Sequence, residues 1–230
     1  DYYGSQETSI EADKLIDKSV KTNFPLLSFN YNNLGNVISS YGDHKTAITY
    51  YDLAIQYAAN PADYNSYLNN KAITLTYMQE YEEANAIYSS ILNTKFSSDT
   101  EYARTLSNYA HTKSKIFPAY NALPDLHKAL KYRIIGNDQY GINASYAHLR
   151  DYHKTRNLDS ARIYAQKAYA IASQLKSAKD KINAAESLIQ LSKADSSIHY
   201  FRIYKNLSDS VLMARQRASN QYAMIRYEVE

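Results

Sequence analysis

The 230-residue sequence predicts an all-α array of antiparallel helix pairs, an α-solenoid, and three observations predict it. Turn residues are scarce, with five Gly and four Pro, in a chain rich in the helix formers Ala, Leu and Lys. Small and aromatic residues recur at helical spacing: Ala47, Tyr51 and Ala54 are separated by four and then three positions. That set then moves as a block. Ala84, Tyr88 and Ile91 each follow 37 residues after their counterparts, the mark of a stacked repeat.

The elements follow in order. Residues 1–8 read as frayed. From about Ser9 to Lys21, Ala12, Leu15, Ile16 and Ser19 mark one helical face. Phe24-Pro25 opens the next helix, because Pro lacks only an N–H that the first turn does not use. The first full repeat, about 25–60, has Leu34-Gly35 on one helix and Ala47, Tyr51 and Ala54 on the next. Gly42-Asp43 breaks the chain between them and Asn60-Pro61 ends the pair. The second, about 61–97, has Leu68, Ala72 and Leu75, then Tyr81, Ala84, Tyr88 and Ile91. The third, about 98–136, has Leu106, Tyr109 and Ala110, then Ala122, Leu126 and Ala129; Phe117-Pro118 lies in its turn and Pro124 early in its second helix. The fourth, about 137–176, has Leu149 and Tyr152, then Leu158, Ala161, Ala165 and Ala168. The fifth, about 177–207, keeps Leu188 and Leu191, but Tyr200 stands where Ala is expected; it is the most degenerate unit. Residues 208–230 form a helical extension.

This pattern of Leu-Gly, Ala, an aromatic, Ala and Pro resembles the tetratricopeptide repeat (TPR) family, with Ile38 in its first aromatic slot. The resemblance covers about Phe24 to Leu207. It implies a right-handed superhelix of helix pairs whose first helices line a concave surface for extended peptides. The spacing of 37–39 between equivalent Ala residues exceeds the family's roughly 34, which implies longer helices or looser turns. The recurring Ala has a packing cause, because a small side chain lets two helix axes approach closely.

Composition narrows the chemistry. Without Cys there are no disulfides, thiolate metal sites or Cys nucleophiles. No apolar run approaches the roughly 18 residues of a membrane span. The start Asp1-Tyr2-Tyr3-Gly4 reads as a mature or trimmed segment. The 25 Tyr against five Phe and no Trp suit helix seams near solvent, each ring burying while its hydroxyl stays wet; a Tyr-lined groove is the alternative. Net charge of +3 hides an asymmetry: residues 1–100 carry 6 Lys+Arg against 12 Asp+Glu, the remainder 20 against 11. Solvated helix faces or an interaction surface would each produce it.

No catalytic or cofactor motif is present. The six His form no HExxH or other ligand spacing, no Gly-rich phosphate loop exists, and GxSxG is missing. The chain therefore reads as a non-enzyme with no metal or cofactor. Scattered Lys and Arg without an RNA-binding motif argue against nucleic acid. Under the TPR alignment the inward row is Phe29, Asn32, Asn36 and Ser39; then Asn69, Ile73 and Tyr77; then Arg104, Ser107, His111 and Lys115; then Tyr146, Arg150 and His153. Asn both donates and accepts, which suits an extended backbone. Arg104 and Arg150 suit carboxylates, so the expected partner is a protein or extended peptide, acidic or carboxylate-ended. Chaperone-binding TPR proteins hold a terminal carboxylate with Lys, Asn and Arg. Asn36, Asn70 and Arg104 fall on matching slots, but Asn32 and Asn108 replace two of the charges, which weighs against that use.

The C-terminal segment is similar to the closing part of bacterial membrane-associated TPR regulators, through Tyr204, Leu207, Ser208, Asp209, Ser210 and Tyr227-Glu228. That likeness implies the extracytoplasmic (periplasmic) sensor part of a membrane-anchored regulator. A freestanding adaptor or scaffold, in the cytoplasm, is the other expectation. From Ser196 to Glu230 no Gly or Pro interrupts the chain, so one helix is expected to run through. Val211, Ala218 and Ile225 recur every seven residues, and Ala218, Tyr222, Ile225 and Val229 step by four, three and four, as in a coiled-coil seam. The stripe either caps the last repeat or pairs with its copy, giving a homodimer in a longer parent.

Overall fold

A computed structural model describes residues 2–229, with side-chain environments for residues 4 and 6–217. The described residues form eleven α-helices and one 3-10 turn: α1 (Tyr2–Leu15), α2 (Phe24–Ser40), α3 (His44–Gln56), α4 (Pro61–Tyr77), α5 (Tyr81–Leu92), α6 (Asp99–Ile116), α7 (Leu123–Ile135), α8 (Gln139–His153), α9 (Leu158–Gln174), α10 (Ala178–Leu191) and α11 (Ala194–Val229). The 3-10 turn, Lys21–Asn23, precedes α2. Residues 2–97 and 98–217 fall in two compact units. Within each, consecutive helices pack as pairs, α2 on α3 and α4 on α5 in the first, α6 on α7 and α8 on α9 in the second. The fold is all-α and TPR-like.

Local chemistry sets the boundaries. Six helices begin at a side-chain cap: Asp43, Asn60, Ser98, Asp138, Asn157 and Ser177 each accept an N–H from the first turn, satisfying a donor the helix cannot. With Gly scarce, three turns use Gln79, Asn137 and Lys176 at positive φ. In each, the following N–H reaches back to close the helix end, as Glu80 does to the Leu75 carbonyl. The first helix differs from expectation. It begins at Tyr2 and ends at Leu15, because Asp17 captures the N–H and hydroxyl of Ser19, a local turn that competes with helix.

The expected seams are the core. Ala47, Ala54, Ala84, Ala161 and Ala165 are fully buried, and Tyr51 and Tyr88 are nearly so. In the third pair the 4,3 spacing persists in burial at Ala122, Leu126 and Ala129, but α7 starts only at Leu123. Ala122 is thus its cap rather than a first-turn residue, since Pro124 brings no N–H and Asn121 accepts from Leu123 N. Tyr200, in the Ala slot, packs on Ala161, Ala165, Leu188 and Leu191 and meets Tyr169 edge-on. The expected uninterrupted helix is α11. Its stripe at Ala218, Tyr222, Ile225 and Val229, like Tyr227 and Glu228, lies outside the described side chains.

Gly35 explains the Leu-Gly signature. A Cβ there would stand 2.6 Å from Tyr51 Cε1 and 2.8 Å from its Cδ1. The Tyr51 ring is fixed by burial and by its hydroxyl, which donates to Asn36 Oδ1 at 2.9 Å. Gly35→Ala should therefore cost about 1–3 kcal/mol, read as a fall in melting temperature of roughly 2–4 °C per kcal/mol. An unchanged melting curve would contradict the packing of α2 on α3.

Candidate binding site

The faces to consider are those of the first helices, α2 and α4 in one unit and α6 and α8 in the other, because each pair lies side by side. The repeat offset brings equivalent polar residues together there. In the first unit Asn70 Nδ2 donates to Asn32 Oδ1 at 2.7 Å. Ser39 and Thr74 share a hydroxyl bond at 3.2 Å, and Ser28 and Tyr67 another at 3.4 Å. Asn32 is consequently buried, as is Asn69. Asn36 is exposed but accepts from Tyr51. Tyr77, 57 % exposed, stacks on His44 of α3 with centroids 5.6 Å apart. Of the slots that match chaperone-binding repeats, Asn70 is therefore tied to Asn32, which stands where those repeats carry a charge. Phe29, 58 % exposed, and Asn36 remain at the surface of α2.

In the second unit Arg104, Asn108, His111 and Lys115 follow one another on α6 at spacings of four, three and four, which places them on one face; Ser107, expected in this row, is instead fully buried, its hydroxyl donating to the Arg104 carbonyl. Lys115 is exposed; Arg104, Asn108 and His111 are half-buried. Across from them the His111 ring stacks on His148 of α8, centroids 4.6 Å apart and planes 17° from parallel. Burial pushes His111 down to about 4; the charges of Lys115 and Arg150 push the same way and Asp151 opposes them. Burial likewise drives His148 well below its ordinary value, helped by His111, Arg133, Arg150 and Lys115. His148 Nδ1 is buried with no hydrogen-bond partner among the described residues. The Arg150 Nε donates to Asp151 Oδ1 at 2.7 Å.

Tyr146 and His153 meet a different neighbour. Both lie against Tyr164 of α9, the first tilted with centroids 6.2 Å apart, the second stacked at 5.7 Å. Lys167 Nζ stands 5.6 Å from the Tyr146 ring and 5.5 Å from Tyr164. His127 of α7 shares a 3.3 Å contact with the Tyr164 hydroxyl, and burial lowers the His153 pKa, with help from His127 and Arg156. The structure thus gathers His111, Lys115 and Arg150 into one electrostatic neighbourhood, and Tyr146 and His153 into an aromatic one.

Beneath the first of these lies Arg133, on α7 and only 2 % exposed. Its Nη1 donates to the Gly141 carbonyl and the Ser145 hydroxyl, both at 2.8 Å. Asp138 lies 4.0 Å from its Nε. Burial lowers this guanidinium to about 10, with Asp138 opposing and Arg104 assisting. His148, Asp151 and Arg133 are absent from the row that the sequence suggests. The 37-residue offset from His111 to His148 is the signal that would have found the pair, since the same offset relates Ala47 to Ala84.

No family model and no curated protein sequence matches this chain. Solved structures do. The crystal structure of BtubC (BKLC) from P. vanneervenii superposes with a TM-score of 0.59 at 15 % identity, covering 97 % of this chain and 91 % of that one. This likeness shows the fold. The MamA RS-1 ArsTM double mutant gives 0.44 at 15 % identity over 80 % and 95 %. YrrB, described as a TPR protein with an unusual peptide-binding site, gives 0.41 at 16 % identity over 84 % and 92 %. Among the described residues no helix is long and apolar enough to cross a membrane, and no group of three or more His, Cys, Asp or Glu is placed to hold a metal ion.

Proposed function

We propose that this chain is a non-catalytic protein-binding module that takes an extended peptide on its first-helix faces. The observation that carries this reading is the α6 row, Arg104, Asn108, His111 and Lys115, running along a helix whose opposite side is sealed by Ala103, Leu106 and Ala110. Polar and cationic side chains in a line, held on a rigid helix, match the repeating groups of a peptide backbone and its acidic side chains. The excess of Lys and Arg after residue 100 supports an acidic or carboxylate-ended partner. The likeness of the final segment to membrane-associated regulators supports an extracytoplasmic sensor role within a longer bacterial protein. A membrane span and an output domain downstream in the parent reading frame would agree with that role, and a freestanding adaptor would lack them.

Panning a peptide display library on the full chain tests the core of the reading. Acidic extended peptides should be enriched, with binding that weakens as salt rises. Failure to enrich any peptide over an unrelated helical protein would overturn it.

A further inference from the structure

The strongest unexplained feature of the second unit is the stacked imidazole pair. His111 and His148 face each other at 4.6 Å, an arrangement two protonated rings would resist through like-charge repulsion. They meet across α6 and α8, and one ring nitrogen, His148 Nδ1, is buried with no partner among the described residues. Buried polar atoms are rarely left so, and each needs a reason. The charged groups acting on the pair are Lys115 from α6, Arg133 from α7, and Arg150 and Asp151 from α8. Arg150 is partly neutralised by Asp151 and Arg133 by Asp138. Lys115, exposed, is the cation of the group best placed to meet an incoming anion.

We propose that the α6–α8 face of the second unit binds a carboxylate of an acidic peptide beside Lys115 and Arg150, and takes up one proton on the His111–His148 pair as it does so. This rests on the peptide-binding reading above and adds to it a ligand charge and a proton. The free pair is neutral near pH 7, held so by burial and by the surrounding cations. A bound carboxylate removes part of that cationic repulsion and supplies the opposite charge that a protonated ring needs. One proton then moves from solvent to the His111 ring, and leaves again when the peptide dissociates. Binding is therefore tighter in mild acid, by linkage.

The test uses the full chain and an N-acetylated hexaglutamate peptide, made with a free C-terminal carboxylate and as the C-terminal amide. Calorimetry is run at pH 6 and pH 8 at fixed ionic strength. Restoring His111 to its ordinary value on binding makes the affinity about fourfold higher at pH 6 than at pH 8. Proton uptake appears as a dependence of the heat on buffer ionisation. Equal binding of both peptides assigns the carboxylate to side chains, and binding of the free acid alone assigns it to the chain end. The exposed Lys115→Gln change should weaken binding several-fold, and His111→Phe should keep the stack and abolish the pH dependence. If His111→Phe does not fold, the proton NMR titration of the wild-type His111 ring, which should move upward on adding peptide, decides the point. Equal affinity at the two pH values, or no binding of either peptide, overturns the proposal. Library peptides that bind alike at both pH values would leave the broader reading intact, whereas no library peptide at all would remove both.

Discussion

Gly141→Ala is expected to destabilise the second unit by about 3 kcal/mol, through two linked losses. An added methyl would lie 2.0 Å from Asp138 Oδ2 and 2.7 Å from Arg133 Nε. Asp138 must then swing out, which breaks its cap to Gly141 N at 2.8 Å. Its departure removes the carboxylate beside a guanidinium that is 2 % exposed, and an unpartnered buried charge is the costly case. The helix gains about 1 kcal/mol from replacing Gly by Ala, which is smaller than these losses together. The melting temperature should fall by roughly 6–12 °C. Gly136→Ala is the control: its methyl would come no nearer than 3.1 Å, to the Thr100 hydroxyl, with the Tyr132 carbonyl at 3.3 Å, so the fall should be much smaller. Equal effects of the two changes would contradict the role given to Arg133 and Asp138.

The free protein should also lose stability on mild acidification, before most carboxylates titrate. His111 drops from 6.5 in the unfolded chain to about 4 when folded. Between those values the unfolded chain binds the extra proton, so stability falls as pH falls. The loss begins near pH 6.5 and levels off near pH 4. For His111 it amounts to about 2 kcal/mol at pH 5 and approaches 3 kcal/mol near pH 4. His148 moves in the same direction and adds to it. Urea unfolding at pH 7 and pH 5 measures the difference, and His111→Phe should shrink it. A stability that is flat between pH 7 and pH 5 would contradict the buried, neutral pair.

Much of the fold is legible in the sequence because its main signals are steric. Only a small residue fits at positions 47, 84 and 161, and the offset between 47 and 84 is shared by the Tyr51–Tyr88 and Ala54–Ile91 pairs. The cap at Ala122 is less legible, because it depends on what Pro124 and Asn121 do to the first turn of α7. The site is harder still. Asn, His and Tyr can each close a seam or face solvent, and period alone does not separate the two. Asn32 and Asn36 are one turn apart on α2, yet one bonds across to Asn70 and the other to Tyr51. Tyr146 and His148 are two residues apart, yet one meets Tyr164 and the other His111. Which neighbour a polar side chain finds depends on how the helices are set, and that is carried by the whole pair of repeats.

Hydrogen exchange of the full chain, with and without the best peptide from the library, tests the central claim most directly. The account predicts that the amides slowed by the peptide cluster on first helices: α6 and α8 in the second unit, or α2 and α4 in the first. Protection confined to the second helices α3, α5, α7 and α9 would contradict it.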